Sequence, residues 1–218
     1  MKLFTRFVIV ALLAVAAIFV LGYFSWYKPK FIPSKKNFSY RPVKPKAVNA
    51  TLNKLNMKAD DLKSFIKAKH FNDRICFLID MRINSGKKRF FVYNLEKDSI
   101  EMAGLVTHGS GSGYDESDLY FSNEPGSNCT SLGKYKVGKP YNGQFGLAYK
   151  LYGLDATNSK AFERFVVLHA HSCVPATEVY PVPICKSFGC PTVAPSFLQL
   201  LRNYIDNSEK PILLNIYQ

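Results

Sequence analysis

The sequence predicts a mostly-β domain, a sandwich or barrel with a few short helices. Three observations carry this. A series of short runs rich in Ile, Val, Phe and Tyr fills most of the C-terminal two-thirds. Gly, Asn, Ser and Pro punctuate them at turn spacing. The helical period of apolar residues recurs in only a few windows. With 218 residues, 47% of them apolar, the chain suits one medium domain with appendages and has ample material for a core.

The run 7–26 contains no charge and has about the 20 residues that a bilayer-spanning helix requires. Lys2 and Arg6 precede it. An uncleaved anchor is expected; the rival is a cleaved signal peptide, since Ala14-Val15-Ala16 has the small-x-small form. Residues 27–50 carry Pro29, Pro33, Pro42 and Pro45 among lysines and read as a semi-extended basic spacer. The organisation is thus 1–26 anchor, 27–50 linker and 51–218 folded domain.

Within 48–69, Leu52, Leu55, Leu62, Phe65 and Ile66 fall on one helical stripe, so this helix packs on the domain. The pattern then changes to strands at 75–83, 89–95 and 100–107, with a turn at Asn84-Ser85-Gly86 between the first two. Runs at 132–137, 146–152 and 165–169 continue the series. A helix is expected after Pro195, over 195–204, and a closing strand at 211–217. No internal repeat is visible.

The net charge of +13 looks at first like a nucleic-acid signal. Mapping removes it. Nine of the 29 Lys and Arg lie in residues 1–50, which hold no acid, and the other 20 face 16 acidic residues. Basicity therefore belongs to the juxtamembrane region and points to anionic lipid or wall polymer rather than to nucleic acid. The lysines at 28, 30, 35 and 36 leave the orientation of the apolar run undecided by charge.

The chemistry concentrates in 165–195. An apolar run, Phe165 to Leu168, delivers His169, and after seventeen intervening residues comes Ser187-Phe188-Gly189-Cys190. A cysteine nucleophile needs a base, oxyanion donors and a backbone able to bend. His169 is the candidate base. Gly189 permits the bend before Cys190, and Ser187 can orient the imidazole or contribute a hydroxyl. His171, two residues from His169, faces the same side on a strand. The glycine loop after His108 lacks the Lys of a phosphate-binding loop and reads as a flexible rim, with His108, Ser122, Asn123 and His171 as candidate substrate contacts.

This spacing resembles the signature of the L,D-transpeptidase (YkuD-type) catalytic domain, His followed by S/T-H-G-C. The residues carrying the resemblance are T-H-G-S-G-S-G (107–113), F-S-N-E-P-G-S (121–127), S-L-G-K-Y (131–135), G-L-D (153–155), V-V-L-H (166–169) and S-F-G-C-P-T-V (187–193). It covers about residues 70–218. Phe188 stands where the family usually has a second His, and Pro191-Thr192 where it has an apolar residue and an Arg. The resemblance implies a β-sandwich with the Cys at the end of a strand. The implied activity is transfer of a peptidoglycan stem peptide through a Cys190 thioester to an amine, with no cofactor. It also implies a domain held outside the inner membrane, in the periplasm or extracytoplasmic space. With water as acceptor the activity becomes an L,D-carboxypeptidase.

The cysteines leave other readings open. The five are Cys76, Cys129, Cys173, Cys185 and Cys190. They could form two disulfides with one reactive thiol, or stay as buried hydrophobes. Cys173 and Cys185 bracket the loop between base and nucleophile, so a disulfide between them is expected to hold His169 toward Cys190. Alternatively His169, His171, Cys173, Cys185 and Cys190 could bind zinc, or the fold could be a non-catalytic wall-binding module.

Overall fold

Strand β1 (Ile75–Asp80) is buried at every position, because both faces of its sheet are covered. Ile75, Phe77 and Ile79 enter one apolar layer, and Cys76 and Leu78 enter another. A strand buried on both faces reads as a continuous apolar run, which is how this stretch reads in the sequence. The computed structural model describes residues 4, 6, 15–27 and 45–218.

The remaining strands are β2 (Phe90–Asn94), β3 (Ser99–Gly104), β4 (Gly133–Gly143), β5 (Gly146–Gly153), β6 (Val167–Ala170), β7 (Thr192–Val193) and β8 (Leu213–Tyr217). They form one eight-stranded sheet in the order β3-β2-β1-β8-β4-β5-β6-β7. The β1–β8 and β6–β7 pairs are parallel and the others antiparallel. Beyond β3, Val106 bridges Val193 of β7. Chain leaving one edge thus pairs with the opposite edge, so the sheet curves back on itself. This gives a mostly-β fold with a few short helices, built from a single curved sheet.

Helix α1 (Pro45–Ala68) covers one face with Leu55, Ala59, Leu62 and Ile66, packed in the layer that holds Cys76, Leu78 and Phe91. Burial of Leu55, Leu62 and Ile66 contributes roughly 1.5–3 kcal/mol each. Helix α2 (Pro195–Asp206) starts with Pro at its first turn and puts Phe197, Leu198 and Leu201 into the other layer. The aromatic contact of Phe197 with Phe90, at 5.4 Å, ties it to β2.

Helix α1 begins inside the stretch expected to be spacer. The missing N–H of a proline has no partner in a first helical turn anyway, so Pro45 does not exclude a helix start. The rest of the spacer, 28–44, lies outside the described residues. So does part of the apolar run 7–26. Its described portion is helical over 15–22 and continues as a π-helical turn, Tyr23–Tyr27. Among the described residues no helix is long and apolar enough to cross a membrane. Residues 1–43 and 44–218 form separate compact units.

Candidate active site

Two ladders bring His169 and Cys190 to one place. On β6, His169 pairs with Ala148 of β5 on one side and with Thr192 of β7 on the other. Its ring is buried, at 5% exposure. Nδ1 lies 3.2 Å from the Ala170 carbonyl and Nε2 lies 3.0 Å from Thr192 Oγ1. A carbonyl only accepts, so Nδ1 carries the proton and Nε2 is the basic nitrogen, receiving the Thr192 hydroxyl.

The turn that carries Cys190 is clamped by the glycine loop. Gly109 bridges Ser187; Ser110 N–H donates to the Ser187 carbonyl at 2.7 Å, and Ser187 N–H to the His108 carbonyl at 3.0 Å. Thr107 N–H donates to the Thr192 carbonyl, and Thr192 N–H returns to Thr107 Oγ1 at 3.1 Å. Gly109 and Gly111 are needed for close approach: a Cβ on them would meet the Asn128 and Ser127 carbonyl oxygens at 2.1 and 1.9 Å. The loop expected to be a flexible rim is therefore a packed support.

Ser187 shapes the turn rather than the imidazole. Its hydroxyl donates to the Cys190 carbonyl at 2.6 Å and accepts from Gly189 N–H at 3.1 Å. The Cys190 carbonyl also receives Thr107 Oγ1 at 3.2 Å. Gly189 N–H is thus engaged, while Cys190 N–H has no acceptor among the described residues and is left able to donate to a group in the cleft.

Gly189 has φ +112°, and a Cβ there would meet the Cys129 carbonyl at 2.7 Å and Arg164 Nη2 at 3.2 Å. Gly189→Ala is expected to destabilise the protein by about 1–3 kcal/mol and to displace Cys190. Thermal unfolding and acylation of the thiol measure both; a stable, fully reactive variant would contradict this account of the turn.

Cys190 and His169 both rest in neutral form. Burial pushes the Cys190 thiol up, against the pull of the Val167 N–H, 3.5 Å from Sγ, and of the Arg164 guanidinium. Burial pushes the His169 imidazole down, and His171 adds to this. Arg164 is itself held by the Ser122 carbonyl, Ser131 Oγ and the Cys129 carbonyl.

The cleft over these groups encloses about 180 Å³ and is lined by Thr107, Phe145, His169, His171, Cys173, Lys186, Ser187, Phe188, Cys190 and Thr192. Phe145, at the tip of the β4–β5 hairpin, stacks on His169 at 4.7 Å and meets His171 edge-on. A larger groove of about 780 Å³ beside β4, β5 and the end of α2 includes neither Cys190 nor His169.

The structure places the other candidate residues apart from the cleft lining. His108 is 1% exposed, and its Nδ1 lies 3.0 Å from Arg89 Nη2. Burial, with the Arg89 charge beside it, pushes this imidazole down to about 4. Arg89 also donates to the Val106 and Ile83 carbonyls, so the pair braces the segment around Val106–His108, whose His108 carbonyl accepts from Ser187 N–H. Asn123 ties down the neighbouring loop through the Ala156 carbonyl, Ser159 Oγ and Lys160 N–H. Ser122 Oγ accepts from Glu124 N–H in a local turn. Thr192, Thr107, Phe145, Arg164 and Lys186 escaped the sequence reading. Of these, Thr192, two residues after Cys190 at the position of the family's Arg, and Thr107, which opens the T-H-G-S-G-S-G motif, had a signal in the sequence.

Cys173 and Cys185 form the expected disulfide; Cys76, Cys129 and Cys190 are free. Two of the five conceived zinc ligands are thus joined to each other and offer no thiolate. The bridge closes a short loop, which the chain-entropy model values at about 3 kcal/mol. Replacing both cysteines by Ser is expected to lower the melting temperature by roughly 6–12 °C. Calorimetry checks this, and an unchanged melting temperature would show that the bridge constrains nothing.

The family model of the L,D-transpeptidase catalytic domain matches residues 46–214. Similar solved structures include Bd1075 of Bdellovibrio bacteriovorus, 20% identical with TM-score 0.40, covering 67% of this chain and 49% of that one. Another is the helical cell shape determining protein Pgp2 of Campylobacter jejuni, 12% identical with TM-score 0.42, covering 66% and 48%. The chain spans about half the length of these structures. No curated protein matches it in sequence. Since the family match runs through nearly all of the folded domain, the chain belongs to the L,D-transpeptidase catalytic domain family.

Proposed function

We propose that this chain is a peptidoglycan L,D-transpeptidase that works through a Cys190 thioester. The observation that carries the reading is that Cys190 and His169, on neighbouring segments held in register by Thr192, line one cleft. Rotation of the Thr192 hydroxyl onto the Cys190 carbonyl, 3.4 Å away, releases Nε2 for the thiol proton. Sγ then attacks the carbonyl carbon of the stem's last amide, the one joining the diamino acid to the terminal residue, and Cys190 N–H receives the oxyanion. The C–N bond breaks, the imidazolium returns its proton to the departing amine, and a thioester remains. An acceptor amine attacks the thioester, its proton passes to His169, and the thiol is restored.

Such a substrate lies outside the cytoplasmic membrane, so the domain is proposed to act on the extracytoplasmic side with the apolar run 7–26 as its anchor. Incubating the protein with purified muropeptides and weighing the products tests the reaction. Cross-linked dimers with loss of one terminal residue are expected. Shortened monomers alone would identify water as the acceptor, and unchanged muropeptides would refute the proposal.

A further inference from the structure

Among the residues lining the cleft, Lys186 is the only Lys or Arg, and none is an acid. It stands between the disulfide half Cys185 and Ser187, at the base of the nucleophile turn. Its Nζ donates to the Gly113 carbonyl and sits 3.3 Å from the centre of the exposed Tyr114 ring. Among the described residues it has no carboxylate within ion-pair distance; Glu116, the nearby acid, is bound to the Ser85 N–H and Asn84 side chain. An ammonium has three donors. One goes to Gly113, so the group is positioned while two remain. Its proximity to Tyr114 restrains it further, so little ordering is needed on binding.

The cleft thus carries one fixed positive charge among aromatic walls, Phe145 and Phe188. At about 180 Å³ it is well below the roughly 300–1,000 Å³ of sites that enclose whole ligands. It has room for the end of a chain rather than its middle. The family's Arg is absent, and Thr192 in its place is committed to His169.

We propose that Lys186 forms a carboxylate subsite that binds an acid group flanking the scissile amide and thereby selects stem peptides carrying one. This rests on the acyl-transfer reading above. Two groups on a stem have this chemistry: the terminal carboxylate of the departing residue and the pendant carboxylate of the diamino acid.

The test is binding to the full-length Cys190→Ala protein, which needs no catalysis. Three synthetic tetrapeptide stems are compared by calorimetry: the free acid, its C-terminal amide, and a form amidated on the diamino acid. The free acid is expected to bind about tenfold more tightly than one of the amides, and that amide identifies the group. Adding Lys186→Met, which keeps the aliphatic stem, should erase the difference, and Lys186→Arg should restore much of it. Equal binding of all three peptides, no measurable binding, or a preference that survives Lys186→Met overturns the subsite. Thioester formation by the native thiol is read separately by intact mass. Its absence with binding preference intact overturns acyl transfer and leaves the subsite standing.

Discussion

Cys190→Ala is expected to abolish the covalent intermediate and to lower turnover by at least about 10⁴-fold, the order seen when a catalytic nucleophile is deleted. The protein offers no substitute. Cys173 and Cys185 are spent in their disulfide. Cys76 is buried between the sheet and α1, with its thiol pushed up to about 12 by burial. Cys129 is buried as well, its thiol turned to the Ser127 carbonyl. Of the two nearest hydroxyls along the chain, Thr192 is committed to His169 and Ser187 to the Cys190 carbonyl. A strained acyl donor such as a carbapenem, which by family resemblance acylates sites of this kind, should therefore add once per chain. Intact-mass analysis and peptide mapping should place the adduct on Cys190. Persistence of the adduct in Cys190→Ala would reject this residue as the nucleophile.

Much of this site is legible in the sequence because its chemistry is local. Gly189 and Cys190 are adjacent, and the positive φ that Gly189 adopts is what a glycine before a nucleophile suggests. His169 emerges from an apolar run long enough to be recognised as a strand. The residues that complete the site are not local. Phe145 reaches His169 from the tip of a hairpin, and nothing about a Phe between Gln144 and Gly146 announces that ring. Lys186 is distinguished only by the absence of other charges around the cleft. Arg164 approaches Gly189 from just before a turn at Phe165, whose φ of +55° no residue pattern foretold.

The fold divides in the same way. The positions of α1, α2 and most strands follow from apolar periodicity, since the core faces are set by the chain itself. Strand β7 has two residues, too few for any period, and exists because β6 and Thr107 hydrogen-bond to it. Strand β4 runs six residues past the expected end at Val137, through Pro140. A proline lacks the ladder donor, and the strand tolerates it at a register shift between Val137 and Pro140. That extension is functional in placement, because it carries the hairpin that puts Phe145 on His169.

His169→Ala should slow acylation by about 10²–10⁴-fold, the usual worth of a positioned general base, and it should also change the pH profile. In the native protein burial holds the imidazole below its ordinary value of 6.5 and the thiol above its ordinary 9.0. Across neutral pH the imidazole is therefore unprotonated and able to accept, while the thiol still carries its proton. Acylation should rise with pH as His169 loses its proton, with a midpoint below 6.5, and then hold level through neutrality. Without His169 no group in the cleft takes over, since His171 Nδ1 is occupied by the Cys173 N–H. The rate of His169→Ala should then follow the thiolate population alone, lacking the acid limb and climbing toward alkaline pH above 9. Stopped-flow acylation from pH 5 to 10 distinguishes the two curves. If the variant kept the native acid limb, the titrating base would be another group and His169 would be a packing residue. If the native curve itself climbed without a plateau, thiolate formation would govern the rate even with His169 present, and the proton transfer to Nε2 would have no kinetic role.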